Sequence, residues 1–382
     1  MLLRVLLAGI GLATDYILYI YYGGELKGEF NHLIYMSAAG ASILSLGMEY
    51  KMHNENNVSS VNPHHSLIQL TVLILLISSI FVILNNFAGQ YFHYAYIKYL
   101  IMIMILEMYN TQFMHIFLRQ KYNLALFAIR FNRRIMFLIY VTIAPLFFYF
   151  DLYSVIETYL IISLITLVIY TAAAFRFDGM RPYDGVTLSS MSRFVSLKGL
   201  LLKFSEIISS KSLFLLLFLQ YDDIEKGYLG SLLLLHESQM MIAQSFFVSK
   251  ISTKDHDSSI TVSSLINNEK KFLFFIFSVF ILSPILFSYI YSSTGSFGWS
   301  ACVLLTIYSM TFSVLLTQIS SMFSGGKLTS SSIIFVLLAL CNFLSYIMFD
   351  NFSLILFAII LLHISIIGML YFYNRAIILK VN

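Results

Sequence analysis

One apolar stretch of this chain carries four charged side chains where hydrocarbon would tolerate none. Phe194–Leu219, FVSLKGLLLKFSEIISSKSLFLLLFL, contains Lys198, Lys203, Glu206 and Lys211, with Ser205, Ser209, Ser210 and Ser212 among them. At 100° per residue, Lys203, Glu206 and Ser210 share an arc of about 60°, and Lys211 lies about 80° round from Lys203. A lysine at the centre of a lipid-facing helix costs about 2.5–3.5 kcal/mol, so such groups face a protein interior or a water-filled cavity. Two readings follow. Lys203 and Glu206 form a structural pair while Lys198 snorkels, or all four line a solvated cationic lumen. Only the lumen accounts for Lys211, about ten residues from the end of the stretch. Clustered ammonium groups there suit a strongly anionic ligand such as a pyrophosphate. Lys98, in another apolar stretch, either adds to that lumen or snorkels to the interface.

The carboxylates within apolar stretches form a second set: Asp15, Glu107, Glu206 and Glu237. Glu107, Thr111 and His115 recur at i, i+4 and i+8, which makes one polar stripe, and Glu237 shares a helix face with Gln244. Carboxylates held away from water either bind and release a driving proton or sodium ion or pair with the lysines. His236 and His363 read as packed, hydrogen-bonded histidines. Asp255-His256-Asp257 reads as a solvated turn. No phosphate-binding loop, zinc motif or nucleophile elbow occurs, so we expect neither an enzyme nor a resident metal or cofactor beyond a coupling H+ or Na+. Nucleic acid is not an expected partner.

The elements positioning these groups are membrane spans. Of 382 residues 59% are hydrophobic and 11% charged, against about 25% charged in soluble domains. The apolar residues fall in blocks long enough to cross a bilayer as helices. Twelve spans are predicted: Leu2–Tyr22, Phe30–Met48, Leu67–Leu84, Tyr94–Leu118, Ile135–Phe150, Val155–Phe175, Phe194–Leu219, Tyr228–Val248, Phe272–Tyr291, Gly298–Met322, Ser331–Met348 and Leu354–Tyr373. The first block lacks a small-residue cleavage site and reads as a retained span. Cys302 and Cys341 sit in separate blocks and read as packing residues.

The connections after even-numbered spans, with both termini, collect seventeen of the 23 basic residues, among them Arg130, Arg133 and Arg134. The opposite set holds only Lys27 and Lys226. That bias predicts cytoplasmic termini. The chain also repeats itself. YYGGELKGEF (Tyr21–Phe30) and QYDDIEKGYL (Gln220–Leu229) align Tyr22, Lys27 and Gly28 with Tyr221, Lys226 and Gly227, each 199 residues on. Both decapeptides are read as outer connections between the first two spans of a half. The expected architecture is therefore all-α and polytopic: an N-terminal six-helix bundle over residues 1–175, a cytoplasmic linker over 176–193 and a C-terminal six-helix bundle over 194–382, in parallel repeats.

The outer turn Gly23–Phe30 leading into a span that ends LSLGMEYKM (Leu44–Met52) resembles the start of the Wzx-type O-antigen flippases of the multidrug/oligosaccharidyl-lipid/polysaccharide (MOP) exporter superfamily. LLLKFSEIISSKSLFLLLF (Leu200–Phe218) and KGYLGSLLLLHESQMMIAQSFFVSKIS (Lys226–Ser252) are similar to their seventh and eighth helices. The chain is short for that family and has almost no lead-in before its first helix. The resemblance implies a MATE-like fold in a bacterial inner membrane. It implies flipping of undecaprenyl-pyrophosphate-linked O-antigen or capsule oligosaccharide units, with membrane lipid and polysaccharide polymerase machinery as partners. On that reading Lys203, Lys211, Lys198 and Lys98 meet the substrate, and Glu206, Glu237, Glu107 and Asp15 serve ion coupling or the cavity's polar network. The alternatives are a cation-coupled multidrug exporter of the same superfamily and a membrane-embedded O-antigen polymerase. Lysines in the lumen disfavour the first; short, arginine-free outer connections disfavour the second.

Overall fold

Backbone polar groups inside hydrocarbon must be satisfied within their own segment, and this favours helices. The computed structural model describes residues 2–44, 75, 79, 94–119, 123–147, 151–178, 211, 213–214, 216–218, 221–251, 278, 280–285, 287–289, 299–324, 328–349 and 351–381, and they contain helices and turns but no strand. The helices with defined bounds are α1 (Leu2–Leu44), α2 (Tyr94–Arg119), α3 (Asn123–Phe147), α4 (Leu152–Asp178), α5 (Asp223–Ile251), α6 (Trp299–Ser324), α7 (Leu328–Met348) and α8 (Phe352–Val381). The expected all-α class holds.

Polarity runs inside-out relative to a soluble protein. On α4, Ile161, Leu164 and Val168 are exposed while Ser163 and Thr166 are buried. On α8, Leu354, Phe357, Leu361 and Ile364 form an exposed apolar stripe, and His363 is buried behind it. Four helical stretches, within 6–42, 152–173, 299–316 and 352–370, are long and apolar enough to cross a membrane, the last with a mean hydropathy of 2.6. The protein is a multi-pass membrane protein.

Helix α1 is two arms joined at Gly23, whose φ of 81° and ψ of 168° interrupt the helical conformation. Along a straight helix Asp15 and Lys27 would be about 18 Å apart. Their side chains instead meet at 2.7 Å, so the chain reverses at Gly23. This corrects the sequence reading of Tyr21–Phe30 as a connection: Gly23 alone leaves the helix, and Lys27 already belongs to the returning arm. The reversal can be this tight because only glycine adopts that backbone region at low cost. A Cβ there would meet no atom within 4 Å, so Gly23→Ala is expected to lose about 1–3 kcal/mol through backbone strain alone. Thermal unfolding in detergent measures the loss, and an unchanged melting temperature would refute it.

The returning arm packs along α2. His32 Nδ1 and the Tyr96 hydroxyl lie 3.3 Å apart, and the Ser37 hydroxyl donates to the Leu100 carbonyl. At Gly40 a Cβ would come within 2.7 Å of Met104 Sδ, so the absent side chain permits the approach. Contacts advance in the same direction on both helices, so the two run parallel. Behind them Leu18, Phe30, Leu33, Ile103, Phe137, Val141 and Leu160 form one buried core.

Helix α3 starts at Asn123, a full three turns before the predicted start at Ile135. NLALFAIRFNRR contains no glycine or proline to break a helix, and its arginines were read as loop because charge marks an interface. Arg130, Arg133 and Arg134 therefore lie on a helix. Side-chain caps fix other helix starts: Asp151 accepts from the Ser154 N–H, Asp222 from the Glu225 N–H and Asn351 from the Ser353 N–H. The Ser154 hydroxyl and N–H hold the Asp151 carboxyl below its ordinary value.

The chain divides into two compact units, Met1–Leu12 with Ile208–Asn382, and Ala13–Ile207, so the division falls within α1.

Candidate functional site: a charged network and its cavity

In the Ala13–Ile207 unit, α2, α3 and α4 bring four polar side chains to one point. The Arg133 guanidinium donates to both Glu107 carboxylate oxygens. It also lies 2.6 Å from the Tyr159 hydroxyl and 2.9 Å from the Ser163 hydroxyl. Tyr159 in turn donates to Glu107 at 2.8 Å, and the guanidinium stands 5.1 Å from its ring centroid. Bidentate pairing with a third donor on the carboxylate is the geometry that offsets the loss of water around both charges. Helical spacing explains the cluster: Tyr159 and Ser163 are one turn apart on α4, facing Glu107 on α2.

Next to this pair lies a cavity of about 60 Å³. It is lined by Glu107, Asn110 and Thr111 from α2, Arg130 and Arg133 from α3, and Thr166 and Tyr170 from α4. Tyr170 is fixed by stacking on Phe113, with centroids 6.1 Å apart and planes 7° apart. Arg130 is exposed and makes no ion pair among the described residues. Its charge is the surplus over Glu107 and Arg133.

The second enclosed charge pair is Asp15–Lys27. Lys27 is fully buried and Asp15 nearly so, and the ammonium lies 5.2 Å from the Tyr19 ring centroid. The corresponding positions 199 residues on hold Phe214 and Lys226. Phe214 is buried and Lys226 half-buried, so the Asp15 carboxylate has no counterpart at position 214.

The other unit brings hydroxyls, an amide and two histidines together in its interior. His236 Nδ1 lies 2.7 Å from the Ser309 hydroxyl, and His363 Nδ1 lies 3.1 Å from that of Thr311. Gln239 donates to Ser283 and Thr306. Phe214, His236, Tyr308, Phe312 and His363 stack into a buried ring cluster with neighbouring centroids 5.0–5.7 Å apart. The histidines are packed and hydrogen-bonded, as the sequence reading expected.

Of the anticipated site residues, Glu107 and Thr111 line the cavity and Asp15 belongs to the Lys27 pair. Lys98 is exposed with its ammonium 5.5 Å from the Tyr99 ring centroid, and Glu237 is exposed on α5. Lys211 is half-buried and within electrostatic range of His236. Lys198, Lys203 and Glu206 lie outside the described residues, as does Asp255-His256-Asp257. Lys27, Asn110 and Tyr159 were not anticipated, and Arg130 and Arg133 had been read as basic residues of a connection rather than of a cavity between helices. One signal could have found the basic ones, because an enclosed carboxylate requires a nearby cation, and each lay one helix away.

No family model matches the chain, and no curated protein matches it significantly. Solved structures do. An inward-facing multidrug resistance transporter of the MATE family in the MOP superfamily is 13% identical, with a TM-score of 0.58 over 99% of this chain and 94% of that one. The lipid II flippase MurJ in an inward closed conformation is 13% identical, with a TM-score of 0.60 over 98% and 87%. A MOP superfamily transporter from Pyrococcus furiosus, whose reversed pocket polarity was taken to suggest a different function, is 13% identical with a TM-score of 0.52 over 98% and 95%. The chain has the fold of the MOP transporters.

Proposed function

We propose that this protein flips an undecaprenyl-pyrophosphate-linked oligosaccharide, an O-antigen or capsule unit, from the inner to the outer leaflet of a bacterial cytoplasmic membrane. The halves 1–175 and 194–382, joined by 176–193, would act as the rocking bodies of alternating access, with both termini cytoplasmic. Fold likeness supports a flippase and a drug exporter equally, since one resembled structure is of each kind. Charge favours the flippase. Among the described residues, the carboxylates Asp15 and Glu107 are each committed to a basic side chain, and Arg130 stands beside Glu107 with no ion pair. A cationic drug needs an uncommitted carboxylate; an anionic headgroup needs the reverse. Lys203, Lys211, Lys198 and Lys98 are proposed to meet the pyrophosphate. Glu206 and Glu237 are proposed to serve ion coupling or the polar network around it.

The test uses the full chain in proteoliposomes carrying an undecaprenyl-pyrophosphate oligosaccharide, with outward exposure read by a membrane-impermeant lectin. The expected result is protein-dependent exposure, reduced about tenfold or more by Lys203→Ala or Lys211→Ala at equal protein levels. Gradient-driven ethidium extrusion without lipid exposure would establish the drug exporter instead.

A further inference from the structure

We infer that the cavity among α2, α3 and α4 is a binding site for a single phosphate-type oxyanion, centred on Arg130. It holds one negative group, Glu107, against two guanidinium groups. Arg133 is spent on Glu107, Tyr159 and Ser163. Arg130 has no ion pair among the described residues, so its guanidinium is available to an anion that enters the cavity from its exposed side.

A second observation concerns Asn110. It is 6% exposed, lines the cavity, and neither its Nδ2 nor its Oδ1 has a hydrogen-bond partner among the described residues. A buried amide left unsatisfied costs about 1–3 kcal/mol, so such a group is retained where a guest completes it. Nδ2 donates to an oxyanion, and Oδ1 accepts from the hydroxyl of a hydrogen phosphate or from a water beside it. Thr166 contributes nothing as donor, because its hydroxyl is already given to the Ile162 carbonyl.

At about 60 Å³ the cavity has room for a small tetrahedral oxyanion or a few waters. The shared chemistry is a phosphate group, delivered either as free phosphate or as the headgroup of an anionic lipid. The site stands whether or not the cargo is a lipid-linked oligosaccharide.

The experiment compares full-length wild type, Arg130→Gln, Asn110→Leu and Lys226→Gln. Binding is titrated with inorganic phosphate in detergent, and with phosphatidic acid in phosphatidylcholine nanodiscs. Arg130→Gln is expected to weaken binding about tenfold or more, while Lys226→Gln leaves it unchanged. Asn110→Leu should weaken phosphate binding yet melt no lower than wild type, because it removes two orphaned polar atoms; a merely structural asparagine would lose both. Binding of free phosphate assigns the site to a soluble oxyanion, and binding of phosphatidic acid alone assigns it to a headgroup. The inference is overturned if neither probe binds wild type, or if Arg130→Gln binds as wild type does. Phosphate binding without lectin-detected flipping would sink the flippase reading and leave this site standing. Flipping without phosphate-type binding would do the opposite.

Discussion

Arg133→Leu is expected to destabilise the protein by about 1.5–3 kcal/mol, because it strands a half-buried carboxylate that loses two charge-assisted hydrogen bonds. The Glu107 carboxylate would keep the Tyr159 hydroxyl and lose two charge-assisted hydrogen bonds from α3. The double variant Glu107→Leu/Arg133→Leu should recover most of that loss, since apolar groups of similar volume leave no uncompensated charge. Unfolding of the three proteins in detergent, read as a double-mutant cycle, measures the coupling. If the double variant is as unstable as Arg133→Leu, the pair is not what joins α2 to α3. Transport then separates the remaining roles of Glu107. A double variant that folds but no longer responds to an imposed proton or sodium gradient assigns coupling to this carboxylate; an intact response assigns it to architecture.

Lys27→Met should cost more, about 3–5 kcal/mol, because this pair is almost wholly enclosed. Lys27 is fully buried at the reversal of α1, where its ammonium meets Asp15 at 2.7 Å. Methionine matches the length of the stem but leaves the Asp15 carboxylate enclosed and alone. Asp15→Leu/Lys27→Met should again restore most of the stability. Lys226→Met supplies the control, because that lysine is half-buried and opens α5 where no acidic residue occupies the Asp15-equivalent position. Its expected effect is about 0.5 kcal/mol or less. Equal losses at Lys27 and Lys226 would mean that burial of the stem, not the ion pair, sets the energy.

Both pairs show where one-dimensional reading stops. Glu107 and Asp15 stood out in the sequence because carboxylates are rare in apolar blocks, and the i, i+4 spacing of Glu107 and Thr111 placed both on what proves to be the cavity wall. Their partners were misfiled for the same reason in both cases. Arg133 and Lys27 were assigned to connections because basic residues ordinarily mark membrane interfaces. That rule describes the average cost of charge in lipid and is silent about a particular carboxylate one helix away. Gly23 carried a readable turn signal, but the length of the turn was overestimated. A glycine in the positive-φ region reverses the chain in one residue where a decapeptide had been allowed. Tyr159, Ser163 and Asn110 had no distinguishing pattern at all; hydroxyls and amides recur throughout the spans.

What the sequence determined by itself is the solvent and the class of fold. Apolar blocks of bilayer length, scarce charge and one-sided basic residues admit an all-α multi-pass protein and little else, because hydrocarbon penalises every unsatisfied backbone group regardless of which residue carries it. What only the tertiary structure decided is which charges neutralise each other. Pairing energy depends on separations of a few ångströms between residues 12 to 26 positions apart, and neither composition nor periodicity encodes such a distance. Once Glu107 is matched to Arg133, the cavity beside them keeps one further charged lining residue among the described residues, Arg130, and it is positive.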